Sequence, residues 1–211
     1  MTSIAIIDYG AGNLDSVRKA LVRVGSETTI ARTPEDVLAA DRLVLPGVGA
    51  AGEAIRQLRR SGLDEALTEV VRVKGRPFMG ICLGMQLLAE RLHEFGDHPG
   101  LGWIAGEAVP LVGLTAAPVR VPHMGWNRVE VADKAEDLFW EVRGRREFYF
   151  AHSFCLRLTG GGDALAATTE YGGVPLVAAV LDGTVIATQF HPEKSQVNGE
   201  HLLGAFVDWK P

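Results

Sequence analysis

The sequence predicts an α/β fold: an open, mostly parallel central sheet with helices on both faces, and mixed or antiparallel strands in the second half. Two observations carry this prediction. Short, nearly continuous apolar runs alternate with helical patterns over residues 3–90, as in parallel strands that are buried on both faces. Between residues 100 and 190, short β-like segments alternate with turns. Because no linker or internal repeat interrupts the chain, we expect a single domain over residues 1–211.

The first half contains element candidates in the order strand, helix, two strands, two helices, strand and helix. The strand candidates are 3–8 (SIAIID), 27–31 (ETTIA), 42–49 (RLVLPGVG) and 76–81 (RPFMGI). Apolar residues at helical spacing begin at Leu14, and Gly25 is the candidate cap at the end of that helix. The helical region 51–75 is broken at Ser61-Gly62, and a further helix is expected from about residue 83.

In the second half, a hairpin and a closing helix have the clearest signals. Asp182-Gly183 lies between two apolar runs in PLVAAVLDGTVIATQF (175–190), which is the signature of a β-hairpin. Residues 198–210 are expected to form the last helix. The other short β-like pieces of this half predict mixed or antiparallel strands.

Composition excludes several classes of function. The formal net charge is -5, which argues against nucleic acid or an anionic membrane as a partner, since both favour basic surfaces. No apolar run approaches the roughly 18 residues needed to span a membrane, and the N-terminus lacks the features of a signal peptide. Cys82 and Cys155 form no paired metal signature. We therefore expect a cytoplasmic protein that uses no metal and no cofactor.

Gly80-Ile81-Cys82-Leu83-Gly84 stands where a predicted strand meets a predicted helix. A nucleophile at such a junction needs a turn that pushes its side chain clear of both elements, and small residues two positions before and after it. The following helix would stabilise a thiolate through its N-terminal end, and the Leu83 N–H could stabilise an oxyanion. The alternative is that Cys82 is a buried structural thiol, as most free cysteines are.

A candidate base follows the last predicted strand. If the chain is extended at His191-Pro192-Glu193, the first and third side chains lie on the same side. The carboxylate can then bind one ring nitrogen of His191 while the other nitrogen faces a thiol, as in a catalytic triad. The alternative is an ordinary loop histidine. Cys155 lies in an apolar strand pattern without flanking glycines, and we interpret it as a filler residue.

A glycine-rich segment, Pro46-Gly47-Val48-Gly49, ends another predicted strand. We refer to residues 46–49 as the PGVG loop. Glycine lets a backbone approach a ligand closely, so this loop could aim an N–H group at an oxyanion. The alternative is a plain turn between a strand and a helix.

Taken in order, the segments LPGVGA, GICLGMQLL and QFHPEKS resemble the class I, triad-type glutamine amidotransferases. The resemblance implies a triad of Cys82, His191 and Glu193. Further motifs, IDYGAGNLDSV, PHMGWN and YFAHSF, are similar to one branch of that family. Its members are glutaminase subunits that supply ammonia to a (β/α)8-barrel synthase subunit in histidine biosynthesis. The resemblance extends from residue 4 to about residue 206.

The resemblance implies site residues and partners that spacing alone does not. L-glutamine would be attacked by Cys82, leaving a thioester that water hydrolyses, and the ammonia would pass to the barrel subunit. The implied oxyanion-hole groups are the N–H groups near Val48, Gly49 and Leu83. The implied substrate contacts are Gln86, Glu94, Ser153 and Phe154. The implied partner interface is Asn13, Met124, Trp126 and Lys194. The PGVG loop would turn its N–H toward the oxyanion only in the active complex.

One departure and three rival interpretations accompany this resemblance. Phe154 and Cys155 stand where related sequences often carry aromatic hydroxyls, so a side-chain hydroxyl role is lost there. The rivals are the related glutaminase of the pyridoxal-phosphate pathway, a cysteine hydrolase without an ammonia channel, and an inactive scaffold. The combination of PGVGA, CLGMQ and PHMGWN argues against the first, and the intact triad residues argue against the last.

Overall fold

The computed structural model describes residues 3–115, 118–142, 144 and 146–211. The strands are β1 (Ser3–Ile7), β2 (Glu27–Ala31), β3 (Arg42–Gly47), β4 (Phe78–Cys82), β5 (Ala89–Leu92), β6 (His98–Pro99), β7 (Ile104–Pro110), β8 (His123–Arg128), β9 (Glu130–Val131), β10 (Glu147–His152), β11 (Phe154–Leu158), β12 (Leu165–Tyr171), β13 (Val174–Asp182) and β14 (Val185–Thr188). The helices are α1 (Leu14–Arg23), α2 (Pro34–Ala39), α3 (Ala51–Arg60), α4 (Leu63–Thr68), α5 (Leu83–Gln86), α6 (Glu136–Phe139) and α7 (Gln196–Asp208).

The central sheet confirms the predicted fold class. Its strand order is β2-β1-β3-β4-β14-β13-β12-β9. The first five of these strands are parallel to one another, whereas β13, β12 and β9 join through antiparallel pairs. Two smaller sheets, β10-β8 and β11-β7-β5-β6, complete the second half. The predicted hairpin is present, since β13 and β14 pair antiparallel across Gly183-Thr184.

The parallel strands are apolar because the sheet is covered on both faces. All residues of β3, β4 and β14 are buried. Within β4, Phe78 packs in the cluster that contains the apolar residues of α2, α3 and α4, whereas Met79 and Ile81 pack in the cluster that contains those of α1, α6 and α7. Successive side chains of a strand point to opposite faces, so a strand between two helical layers is mainly apolar.

Two expectations need correction. The helix α2 was not predicted, although the sequence carries its signal: Thr33 and Asp36 form a capping box, with Pro34 at the first helical position. The helix after Cys82 is only one turn long, because residues from Ala89 onward enter β5, where Ala89 and Leu92 are buried. A single turn carries little dipole, so only its free N–H groups remain available to an anion.

The helix α6 was not predicted either, whereas the other boundaries that the sequence predicted agree to within about two residues. The helical region 51–75 breaks where expected, since Gly62 has a positive φ of 69° between α3 and α4. A π-helical turn, Glu69–Val73, follows α4. Within the described ranges, no helix combines the length and the apolar character needed to cross a membrane. Among the same residues, no group of three or more His, Cys, Asp and Glu side chains is arranged to hold a metal ion.

Candidate active site

The carboxyl ends of three parallel strands bring the predicted motifs to one edge of the sheet. Gly47 at the end of β3 lies opposite Cys82 at the end of β4, and Thr188 at the end of β14 lies opposite Ile81. The PGVG loop, the Cys82 turn and the segment that carries His191 all leave the sheet at this edge. Ligands of open α/β sheets bind beyond the carboxyl ends of the strands.

Cys82 has an unusual backbone conformation. Its φ is 54° and its ψ is -106°, a region that residues other than glycine rarely adopt and that clusters at functional sites. The flanking glycines are needed for close approach. A Cβ atom on Gly80 would lie 2.9 Å from the Gly84 carbonyl oxygen, and one on Gly84 would lie 2.0 Å from the Leu45 carbonyl oxygen. The predicted sharp turn and its requirement for small residues are therefore present.

Gly84→Ala is expected to destabilise the protein by about 3 kcal/mol or more, because its methyl group would overlap the backbone of β3. Gly204→Ala in α7 is the matched control, since nothing lies within 4 Å of its Cβ position. That change should stabilise the helix by about 0.5–1 kcal/mol. Denaturant unfolding of both variants checks the pair, and equal effects would contradict the packing argument.

His191 and Glu193 form a buried pair. The distance from Nδ1 of His191 to Oε1 of Glu193 is 2.8 Å, and the two side chains are 4% and 2% exposed. The sequence had suggested that the chain is extended through Glu193, but it is not. Pro192–Lys194 forms a 3-10 turn after His191, and this turn brings the carboxylate to the ring nitrogen.

His191 holds its proton at neutral pH. Burial is the largest influence and lowers the pKa of His191, but hydrogen bonds to Cys82 and Glu193, together with the charges of both groups, outweigh it. The pKa rises from 6.5 to about 9. At pH 7 His191 is therefore an imidazolium ion next to the Cys82 sulfur.

This raised pKa predicts how stability depends on pH. Because native His191 binds its proton more tightly than the unfolded chain does, the stabilisation is fully present below pH 6.5 and is lost as the pH rises toward 9. We expect a loss of roughly 3 kcal/mol over this interval. His191→Gln should lack this part of the pH dependence. Denaturant unfolding at a series of pH values tests it, and parallel curves for the two proteins would refute it.

Two polar residues of the site were not identified from the sequence. Gln189 is fully buried, and its Nε2 lies 3.7 Å from the Cys82 sulfur while its Oε1 accepts from Gln86 at 3.2 Å. The Ser195 hydroxyl donates to the His191 carbonyl at 2.6 Å and accepts from Tyr149 N–H at 3.0 Å. A signal was available, because a polar Gln189 interrupts an apolar strand two residues before His191.

One cavity of about 310 Å³ is lined by most of the predicted site residues. Cys82 and His191 line it, together with residues implied for the oxyanion, the substrate and the partner. The shared lining is Val48, Gly49, Leu83, Gln86, Glu94, Ser153, Phe154, Met124 and Lys194. Glu193 lies behind His191 and does not line the cavity.

Two of the substrate-contact candidates have structural partners as well. Glu94 accepts a hydrogen bond from the Ala51 N–H at 2.6 Å, and so caps α3 directly after the PGVG loop. The Phe154 carbonyl accepts from Gln86 Nε2 at 2.9 Å and bonds to His152 Nδ1 at 2.8 Å. A carbonyl oxygen has two lone pairs, so this one has no capacity left for a substrate. Any contact there must come from N–H groups or the ring.

A histidine pair supports the same segment. His123 Nδ1 lies 2.9 Å from His152 Nε2, and both side chains are buried. Burial lowers the pKa of His123 to about 4 and, as the largest influence, that of His152 to about 3. Both rings are therefore neutral at pH 7. A neutral His152 donates from Nδ1 to Phe154, so its tautomer is fixed by this contact.

The four residues implied for a partner interface lie in different settings. Met124 and Trp126 on β8 are 62% and 48% exposed. Lys194 lines the cavity and lies 6.0 Å above the Tyr149 ring. Asn13 caps α1, since its side chain accepts from the Ser16 N–H at 3.3 Å. Their shared role at an interface stays a prediction.

Larger cavities lie elsewhere but hold no nucleophile beside a base. A cavity of about 560 Å³ lies between β8, β9 and α6, and its lining contains neither cysteine nor histidine. Another of about 440 Å³ is lined by Cys155, with no histidine. Cys155 packs with Val109, Leu111 and Leu176 in a core cluster, and burial raises the pKa of its thiol to about 11. Its interpretation as a filler residue is consistent with this position.

Comparison with known proteins identifies the family of this arrangement. The family model for "Glutamine amidotransferase class-I" matches residues 5–208. The subunit HisH of imidazole glycerol phosphate synthase from Rhodospirillum rubrum is 45% identical, over 99% of this chain and 99% of its own. The protein of the same name from Ruegeria pomeroyi is 46% identical, over 98% of this chain and 99% of its own.

Solved structures share the fold at lower identity. A crystal structure of a glutamine amidotransferase superimposes with a TM-score of 0.75 at 23% identity, covering 97% of each chain. The structure of PurLQS from Thermotoga maritima gives a TM-score of 0.71 at 16% identity, covering 98% of each chain. At these identities the likeness concerns the fold alone.

Proposed function

Because this chain belongs to the class-I glutamine amidotransferase family, we propose that it is the glutaminase subunit of an imidazole glycerol phosphate synthase in histidine biosynthesis. It hydrolyses glutamine to glutamate and ammonia. The observation that carries the proposal is the meeting of Cys82, His191 and Glu193 at the edge of one cavity. We also propose that residues 1–211 act as a single domain in the cytoplasm and without a cofactor.

The reaction uses Cys82 as nucleophile and His191 as the proton carrier. The Cys82 thiolate attacks the side-chain amide carbon of glutamine, forming a C–S bond and placing negative charge on the amide oxygen. The His191 imidazolium, which holds its proton at neutral pH, donates that proton to the nitrogen as the C–N bond breaks and ammonia leaves. His191 then takes a proton from the attacking water, and glutamate leaves as the thioester is cleaved.

Two buried groups hold these reactants in place. Glu193 fixes the ring of His191 through Nδ1, so that Nε2 faces the sulfur. Gln189 directs an amide N–H toward the sulfur, 3.7 Å away. Both side chains contact the Cys82–His191 pair rather than the substrate.

The oxyanion and the substrate are held by the groups around the cavity. N–H groups of the PGVG loop at Val48 and Gly49, and of Leu83, stabilise the negative oxygen. Gln86 and the Ser153-Phe154 segment contact the glutamine, with N–H groups rather than the Phe154 carbonyl as the backbone contribution. Glu94 binds the substrate ammonium group while it also caps α3.

The partner is a (β/α)8-barrel synthase subunit that receives the ammonia. Met124 and Lys194 line the cavity, the exposed Trp126 follows Met124 by two residues on β8, and Asn13 belongs to the same interface. The barrel subunit joins the ammonia to a ribulose-phosphate intermediate and forms imidazole glycerol phosphate. Because ammonia is lost or protonated in water, the glutaminase should be slow until the partner has its ligand.

Mixing this chain with a candidate barrel synthase tests the proposal. Glutamate release is measured for the chain alone, with the synthase, and with the synthase and its ribonucleotide ligand. We expect strong stimulation only in the last mixture. Full turnover without the partner would overturn the assignment to a synthase complex. A cysteine hydrolase of another kind would fail to be labelled at Cys82 by a diazo-ketone analogue of glutamine.

A further inference from the structure

One buried hydroxyl beside Cys82 has no part in the mechanism above. Tyr9 follows β1 and is 5% exposed, and its Oη has no hydrogen-bond partner among the residues that the structure describes. Buried polar groups without a partner are uncommon in native proteins, so the unpaired Tyr9 hydroxyl needs an explanation. The position of Tyr9 at the carboxyl end of a parallel strand places it on the same edge of the sheet as the PGVG loop.

The backbone around Tyr9 is fixed by its neighbours. Asp8 N–H donates to the Ala31 carbonyl at 2.9 Å, and the Asp8 carboxylate accepts from Gly10 N–H at 3.1 Å. The same carboxylate pairs with Arg32 at 2.8 Å. The direction of the Tyr9 side chain is therefore set by these contacts on both sides of it.

The hydroxyl lies directly under the start of the PGVG loop. A Cβ atom built on Gly47 would lie 2.8 Å from Tyr9 Oη, 2.7 Å from Leu83 Cβ and 3.0 Å from Gly84 N. Only glycine fits at this point. Tyr9 Oη is thus close to the Gly47 backbone and to the turn after Cys82, which are the two places proposed to supply oxyanion donors.

Tyr9 is also held as a donor. Burial, and then the negative charge of Cys82, raise the pKa of Tyr9 well above its usual range. The hydroxyl therefore keeps its proton at every pH at which the protein would work. A buried donor without an acceptor is available to a carbonyl that turns toward it.

We infer that Tyr9 is a positioning residue for the PGVG loop: its hydroxyl donates a hydrogen bond to the Gly47 carbonyl when the Gly47–Val48 peptide turns its N–H toward the oxyanion. This inference rests on the proposed function. In a trans peptide the C=O and N–H bonds point in opposite directions. When the Val48 N–H faces the cavity, the Gly47 carbonyl faces the interior, where a buried acceptor needs a donor. Tyr9 supplies that donor.

Tyr9→Phe in the complex with the barrel synthase and its ribonucleotide ligand tests the inference. We expect kcat for glutamate release to fall about tenfold, as for the loss of one hydrogen bond in the transition state, with KM for glutamine within about twofold. Alkylation of Cys82 by iodoacetamide should keep its rate, since this reaction forms no oxyanion. The isolated variant should be as stable as the wild type or more stable, because the lost hydroxyl has no partner.

Tyr171→Phe is the matched control for stability. The Tyr171 hydroxyl donates to the Arg120 carbonyl at 2.5 Å, so its removal should lower the denaturation midpoint, unlike the removal of the Tyr9 hydroxyl. A kcat of Tyr9→Phe within twofold of wild type would overturn the inference. So would an alkylation rate that falls in parallel with kcat, which would place the hydroxyl on the thiolate instead. If the wild-type complex releases no glutamate, the proposed function fails, and the inference fails with it.

Discussion

Replacing Cys82 by Ser is expected to lower kcat for glutamine hydrolysis by about 10⁴-fold or more, while the complex still forms and still uses added ammonium salt. A serine hydroxyl is far less acidic than a thiol. At neutral pH it therefore stays protonated beside the His191 imidazolium and is a poor nucleophile. The oxygen atom is smaller than sulfur, so the strained turn at residue 82 is not crowded. Glutamate release and ammonium-dependent formation of the synthase product are the two measurements.

Cys155→Ser is the control for this prediction. Cys155 is 2% exposed in an apolar cluster, so the change should reduce stability without a comparable loss of kcat. Retention of more than a tenth of the wild-type kcat by Cys82→Ser would show that Cys82 is not the nucleophile. Loss of the ammonium-dependent reaction as well would point to a failed complex rather than to failed chemistry.

Local patterns predicted the central sheet well because its inner strands β3, β4 and β14 are buried on both faces. β1 and β2 have the predicted bounds to within a residue, and the break before α4 follows from Gly62 in a left-handed conformation. The helix α2 was missed because it has only six residues, of which only Val37 is buried, although its Thr33–Asp36 capping box is plain in the sequence.

The short α5 could not have been predicted from its own residues. Leu87, Leu88 and Ala89 suit a helix as well as a strand, and all three are fully buried. The helix ends before them because β5, which begins at Ala89, pairs with β7. The residues of β7 lie more than a dozen positions later in the chain. A tertiary contact of this kind overrides local propensity.

Some residues of the candidate site could be predicted from local sequence patterns, and others could not. The spacing of Gly80, Cys82 and Gly84 predicts a bend, and the structure has that bend. Tyr9 carries no such local signal, because its importance comes from what approaches it across the sheet edge, and Gln189 is marked only by its polarity within an apolar run. A polar side chain buried beside Cys82 is visible only once the strands are placed side by side.

Replacing Glu193 by Gln is expected to lower kcat by about 10³–10⁴-fold, and to lower the pKa of His191 from its value of about 9. Burial alone lowers the pKa of His191, and the hydrogen bond and charge of Glu193 are among the influences that overcome it. With a neutral amide in its place, this part of the support for the imidazolium is lost and the pKa should fall. A smaller fraction of His191 would then carry the proton for the leaving ammonia at neutral pH.

Among the described residues, the Glu193 carboxylate is hydrogen-bonded through Oε1 to His191. Its Oε2 is buried and has no hydrogen-bond partner among the described residues, so the negative charge is stabilised chiefly by His191. NMR titration of the histidine ring signals measures the change, with the other histidines as internal references.

Glu200→Gln is the matched control, because Glu200 forms a 2.7 Å ion pair with Arg23 in which both side chains are more than a third exposed. Surface pairs of this kind contribute little, so His191 should titrate as in the wild type. If the pKa of His191 stays near 9 in Glu193→Gln, the Cys82 sulfur alone sustains the imidazolium. A large loss of kcat in that variant would then arise from misplacement of the ring rather than from its charge.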